Sequence, residues 1–405
     1  MPDRSEQGER NPSMAKPADV PAHERRDGID PVPELGLMIR QTPLTRIDGV
    51  GTAERTWLAT GPDEVRAVLG DAERFSTLPP ADTEADSRRL VQEGNLLQYD
   101  PPEHTRLRKM QAPEFTGRRM RRLEPMVEKI VSDHLDALER AGQPADLVRH
   151  YAQPVPTLVG CLLLGIPRDD HAELARNLDL SRSENRPREQ RMAAGKAYMA
   201  YLTKFGASKR RHGGDDLISV LLHEQGMEMS DEELAGTVAT LLAPAILNVT
   251  GTLALGILAL LRHPEQLALL RERDDIVDRA VDEMLRYTSV VSTASPRTAL
   301  VDVPLAGQVV KAGDVVLCSL LAANRAKCPH AEDAFDITRE SSNHLAFGHG
   351  IHHCLGAPLS RLTLRVAVPV LLRRLPGLRL AVPAQELRYK SPSGIYGVET
   401  LPVAW

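Results

Sequence analysis

A chain of 405 residues with 42% apolar and 26% charged side chains can bury a large core and has the charge density of an ordinary globular protein. Its net charge of −5 leaves no global electrostatic case for nucleic acid or an anionic membrane as partner. The four cysteines, Cys161, Cys318, Cys328 and Cys354, stand far apart without a CxxC pair, which argues against a disulfide framework or zinc ribbon and for a reducing compartment, the cytoplasm.

In chain order, residues 1–34 are rich in proline and charge and lack an apolar run, so they are expected to be a disordered arm rather than a signal peptide. Beyond it the composition does not shift, and residues 35–405 are expected to form one domain. A short strand is expected at 56–60. Helical spacing of apolar residues follows at 118–141, 154–164, 169–180, 191–211, 231–261, 264–271 and 276–286. Ser230 before Asp231, Glu232 and Glu233 is a helix N-cap followed by an acidic first turn. Strands are expected at 301–303 and 308–311, joined by a turn at Pro304–Gly307, and at 315–318. The expected fold class is therefore mainly α with a minor β part. Residues 234–261 carry no charge and are long enough to span a bilayer. Pro244, Asn248 and four threonines interrupt that run, and no aromatic belt flanks it, so a buried core helix is expected and no membrane contact.

Near the C-terminus the chain reads Phe347-Gly-His-Gly-Ile-His-His-Cys354-Leu-Gly356. A lone thiol in a glycine-rich turn is commonly inert and buried. Structural zinc wants four convergent ligands, usually in two separated pairs, and three adjacent side chains do not easily converge on one small ion. A haem thiolate wants one cysteine on a tightly folded loop at a helix start, where backbone N–H groups favour the anion. Gly348, Gly350 and Gly356 permit such a loop, Pro358 suits a first helical turn, and residues 360–374 continue as a helix.

The spacing Phe347-x-x-Gly350-x-x-x-Cys354-x-Gly356 resembles the haem-binding signature of the cytochrome P450 family, and the resemblance extends over residues 35–405. It implies the P450 fold, with haem b held between a long central helix and the helix after the cysteine. It also implies Cys354 as axial thiolate ligand of the iron, with Phe347, Gly348 and Gly356 against the cofactor. Glu283-x-x-Arg286 is similar to the family's structural E-x-x-R pair, with Arg339 as the matching third partner. In isolation it would read as a surface ion pair. The segment from Asp100 to Arg108 resembles the one whose histidine and arginine reach the haem propionates. His104 and Arg108 lie four apart on one helix face, and Arg297 and His352 match two further propionate ligands.

Where the family usually carries A-G-x-[D/E]-T, this chain reads Pro244-Ala245-Ile246-Leu247-Asn248. Leu247 in the acid position cannot carry a proton, and Asn248 in the alcohol position is a poor donor. No acid occurs anywhere in 234–261. Asn248 is a candidate catalytic residue or a kink-stabilising one. Thr252, one turn on, is a candidate for holding a water.

The resemblance implies a monooxygenase that inserts one oxygen atom from O2 into a small organic substrate, a natural-product intermediate by analogy. The broken relay opens an alternative: a peroxide-driven or non-hydroxylating oxidation such as ring coupling, desaturation or rearrangement. A non-catalytic activating partner is a further reading, against which the intact cysteine loop stands. No flavin or iron–sulfur segment is left over, so a separate ferredoxin and ferredoxin reductase are expected as electron donors. The basic run Thr116–Arg122 is a candidate docking patch or a solvated helix face. Residues 77–97 and 178–192 are expected to cover the pocket, the latter with Arg182, Arg186, Arg188 and Arg191.

Overall fold

The structure is a computed structural model that describes residues 23–47, 55–80, 92–183, 186–223, 229–325, 334–340, 343–390 and 395–405. At its centre runs the helix Asp231–Arg262. The Ser230 hydroxyl accepts from the Glu233 N–H (2.9 Å), and three acids follow in the first turn. The helix continues through Pro244, and every residue from Val249 to Leu260 is buried. Its apolar faces pack against the helices Pro154–Leu164, Arg188–Arg211, Val277–Thr288 and Ala357–Arg374. The charge-free run is thus the core helix that its interrupting polar residues implied.

The other expected helices form within a few residues of their predicted ends. Gly117–Ala141 is capped by the Thr116 hydroxyl, and Pro154–Leu164 stops at Gly165 in the left-handed conformation (φ 68°). Gly117–Ala141 lies along Ala357–Arg374 and is tied to it by Arg365–Glu124 (2.9 Å), Arg374–Asp136 (2.7 Å) and Arg374–Glu139 (2.8 Å). Shorter helices at Pro33–Gln41, Pro62–Gly70, Leu217–His223 and Leu320–Arg325 carry too few turns to show a period in the sequence.

The largest piece of the minor β part is a five-stranded sheet in the order Leu44–Ile47, Thr56–Ala59, Val315–Cys318, Arg297–Ala299, Phe75–Ser76, beside a three-stranded sheet of Arg379–Leu380, Pro402–Ala404 and Ala145–Asp146. Val315–Cys318 is parallel to Thr56–Ala59, with Val315 opposite Thr56, and the remaining pairs are antiparallel. The expected hairpin is shifted. Its strands are Val303–Leu305 and Gln308–Val310, not 301–303 and 308–311. The turn needs only Ala306 (φ 48°) and Gly307 (φ 74°), and Pro304 is tolerated because a two-stranded ribbon leaves half its N–H positions unpaired.

The arm expected over 1–34 is ordered from His23 onward, while residues 1–22 lie outside the described residues. Residues 26–27 and 30–31 pair as a small antiparallel ribbon, Ile29 and Leu35 are fully buried, and Asp30 meets Arg325 at 2.8 Å. Arg26 and Asp30 are satisfied by the body of the protein rather than by water, which local composition does not reveal. Cys328 also lies outside the described residues.

Candidate active site

The cysteine loop is shaped by its glycines. Gly348 and Gly350 both take φ of 71°, and a Cβ on Gly350 would stand 2.1 Å from the Leu69 carbonyl oxygen, so no other residue fits there without moving that backbone. The Cys354 N–H donates to Phe347 O (2.9 Å) and the His353 N–H to Gly350 O (3.0 Å), which closes the loop over the helix start at Ala357. Burial pushes the Cys354 thiol pKa up. Against that, the amides of Gly356 and Ala357 and the guanidinium groups of Arg108 and Arg361 favour the thiolate. Phe347 is held beneath Arg361, whose guanidinium carbon lies 4.7 Å from its ring centroid. A Cβ on Gly356 would meet nothing but Sγ of Cys354, at 4.0 Å, so open space adjoins the sulfur on that side.

Beside the loop the structure gathers the four expected donors. The ring centroids of His104 and His352 are 4.3 Å apart. Arg108 donates to His353 O (2.6 Å), and buried Arg297 donates to Ser295 O (2.8 Å). His352 is pushed down to about 3 by burial, then by Arg297 and His104, with Arg108 adding to it. The nearby acid, Asp100, is occupied by Ser76 and by the Thr77 N–H and hydroxyl (both 3.0 Å). His104 Nε2 and His352 Nδ1 are buried without a partner. Two histidines and two arginines with orphaned ring nitrogens form a set that lacks its anions, and the pair of propionates on a haem would supply them. The residues present fit that group.

On the central helix, Leu241, Pro244, Ala245 and Asn248 stay half-buried at helical spacing, in a helix otherwise largely enclosed. Asn248 Oδ1 and Thr250 Oγ1 are buried without partners. Thr252 is 2% exposed, and its hydroxyl donates to Asn248 O (2.9 Å), so its proton is engaged within the helix. It can still accept a hydrogen bond but does not stand ready to donate one.

Glu283 is fully buried and receives both Arg286 Nε and Nη2 at 2.7 Å, the Asp336 N–H at 2.9 Å and Arg339 at 3.4 Å. The expected three-way link forms, as a buried network and not a surface pair. Sequence reasoning missed the adjacent anchor. Asp282 pairs with Arg361 (2.8 Å) and His344 (3.5 Å), joining this helix to the one that follows the cysteine. The only signal was its position beside Glu283. The basic run is less free than it looked: Arg119 is buried against Glu114 (2.9 Å) and Asp215, and Arg122 pairs with Asp215 (2.7 Å). Arg118 and Arg121 remain exposed. Arg182, Arg186 and Arg188 are exposed and Arg191 half-buried, while residues 81–91 and 184–185 of the segments expected to cover the pocket lie outside the described residues.

A mainly helical chain with a buried Glu–Arg–Arg network and a cysteine loop beside an anion-deficient donor cluster defines a haem-thiolate protein. The family model for cytochrome P450 matches residues 50–185 and 179–378, and the chain belongs to that family. It is an oxidoreductase of the P450 monooxygenase class and takes haem b with a cysteine thiolate on its iron. Cytochrome P450 165B3 of Amycolatopsis orientalis is 44% identical over 401 residues, 95% of this chain and 98% of that protein. The solved structure of OxyE, a P450 involved in teicoplanin biosynthesis, is 48% identical with a TM-score of 0.89 over 95% of this chain and 100% of its own. OxyC, implicated in an oxidative C–C coupling reaction during vancomycin biosynthesis, is 41% identical with a TM-score of 0.86, covering 95% and 97%.

Proposed function

We propose that this P450 joins aromatic rings within a natural-product intermediate, with Cys354 as the iron ligand and electrons delivered by a separate ferredoxin and its reductase in the cytoplasm. The observation that carries the reading is the relay position. Leu247 has no proton to give, Asn248 offers an unpartnered buried acceptor, and Thr252 has its hydroxyl proton tied to the backbone. Likeness to OxyC supports the same outcome.

Bound haem supplies oxygen activation at an iron whose thiolate ligand donates electron density. The chain's own groups do the rest. The amides of Gly356 and Ala357, with Arg108 and Arg361, favour the thiolate of Cys354 against the burial that pushes its pKa up, and iron would complete that bias. His104, Arg108, Arg297 and His352 would hold the propionates of a bound haem, Phe347 and Gly348 keep the loop in shape, and Gly356 leaves room beside the sulfur. Asn248 Oδ1 accepts from a phenolic O–H and so orients a substrate that brings its own protons. In the overall balance two hydrogen atoms leave the rings and a bond forms between them. O2, two electrons and two further protons complete two waters, and no oxygen enters the product. Insertion would consume the same two electrons and two protons but leave one oxygen atom in the product and release one water.

The test is turnover under isotopically labelled O2 with a phenol-bearing peptide, after a reduced CO spectrum near ~450 nm has established the thiolate. A product lighter by two hydrogens and free of label is expected. A product carrying one labelled oxygen atom overturns coupling in favour of insertion. A CO band near ~420 nm in wild type, or one unchanged in Cys354→Ser, removes Cys354 as ligand.

A further inference from the structure

The first described residues form a strap that the chemistry above does not use, and Arg26 is its anchor. Its guanidinium donates to Thr288 O (2.6 Å), to Ser289 O and to Ser292 Oγ (2.9 Å), and lies 4.4 Å over the Tyr396 ring. The Tyr396 hydroxyl in turn donates to Gly28 O (2.6 Å). Thr288 ends the helix Val277–Thr288, and Ser289 takes a left-handed φ of 37°. One side chain therefore satisfies carbonyls that a helix end leaves open and holds a non-glycine residue in a strained turn.

That turn launches a segment against the central helix. Tyr396 N–H donates to Val290 O (2.9 Å), Val291 bridges Ile395, and Thr293 bridges Ser319. A Cβ on Gly251 would lie 2.6 Å from Tyr396 O and 3.2 Å from Val290 Cγ1. Gly251 is three residues past Asn248, hence on the same side of the helix. In extended backbone, side chains alternate between faces. Ser292 and Tyr396 are buried toward the strap, whereas Val291, Thr293 and Ile395 stay half-buried on the opposite side, in the parity that leads to Arg297. Thr293 Oγ1 is buried without a partner.

We propose that Arg26 is a positioning residue that sets the pocket wall formed by Val291, Thr293 and Ile395, and thereby substrate fit. The inference rests on the haem-site reading and on no particular substrate. It is tested on the haem-loaded enzyme with two probes that bind iron: imidazole, which reports access to the metal alone, and 4-phenylimidazole, whose ring also meets the wall. In Arg26→Met, which removes all three of its hydrogen bonds, the dissociation constant for 4-phenylimidazole should rise about tenfold through the displaced wall, with that for imidazole within about twofold. Ser292→Ala, which removes one bond without threatening the fold, should shift the same ratio about threefold. Arg26→Lys, which keeps the charge but not the fork, should fall between wild type and Arg26→Met. A lowered melting temperature with an unchanged ratio would make Arg26 a structural clamp and overturn the proposal, as would equal weakening of both probes. Failure of wild type to bind imidazole at all would instead strike the haem-site reading.

Discussion

Gly350 and Gly356 belong to one signature but are glycine for different reasons. At Gly350 the backbone is left-handed and the Leu69 carbonyl blocks a side chain. Gly350→Ala should therefore destabilise the protein with or without haem, by more than about 1–2 kcal/mol, read as a lower melting temperature. At Gly356 φ is −80° and the protein itself leaves room. Gly356→Ala should leave the apoprotein's melting temperature unchanged and lower the haem retained per chain. Equal haem content in wild type and variant would mean that the open space is not the cofactor's. Asn248→Thr exchanges an unpartnered acceptor for a hydroxyl. It should preserve the CO spectrum and lower the product formed per reductant consumed by about tenfold, the worth of one hydrogen bond to substrate. An unchanged yield would remove Asn248 from the chemistry.

Among the elements, the helix Val277–Thr288 connects most of the site. Its Glu283 gathers Arg286, Arg339 and the Asp336 amide, its Asp282 holds Arg361 on the cysteine helix, and its C-terminal carbonyls are bound by Arg26. Glu283 is enclosed, so removing it strands a buried cation. Glu283→Ala should cost about 3–5 kcal/mol of stability, measured by denaturant unfolding, far beyond a surface pair. A loss below about 1 kcal/mol would mean that the network is solvated. In the sequence the same i, i+3 pair looks like any exposed one, because burial comes from the helices and the 334–339 segment that close over it.

For the whole molecule, the ion pairs that bind Gly117–Ala141 along Ala357–Arg374 bring the exposed Arg118 and Arg121 to the side of the cysteine helix. Charge there would steer an acidic electron donor. Arg118→Glu with Arg121→Glu should slow reduction by ferredoxin at low salt. The gap to wild type should close as the screening length falls from about 30 Å at 0.01 M to about 8 Å at 0.15 M. The same rate as wild type at every ionic strength would place the docking site elsewhere. Arg119 is excluded from such tests, since Glu114 and Asp215 already hold it.

The sequence by itself determined the helical class, the central helix with its Ser230 cap, the cysteine loop and the likeness to the P450 family. All of these are local: a period, a cap, or a spacing of glycines about one thiol. It also exposed the break at Leu247 and Asn248, because a missing acid is visible without coordinates. Only the tertiary structure decided which charges are buried and by whom. It turned an apparent arm into a strap through Arg26 and Asp30, withdrew Arg119 and Arg122 from the basic run, and engaged the Thr252 hydroxyl. It also brought His104 against His352, 248 positions away, with ring nitrogens left open. Partners so distant in the chain leave no periodic trace, and whether a polar group is satisfied depends on what the fold sets beside it.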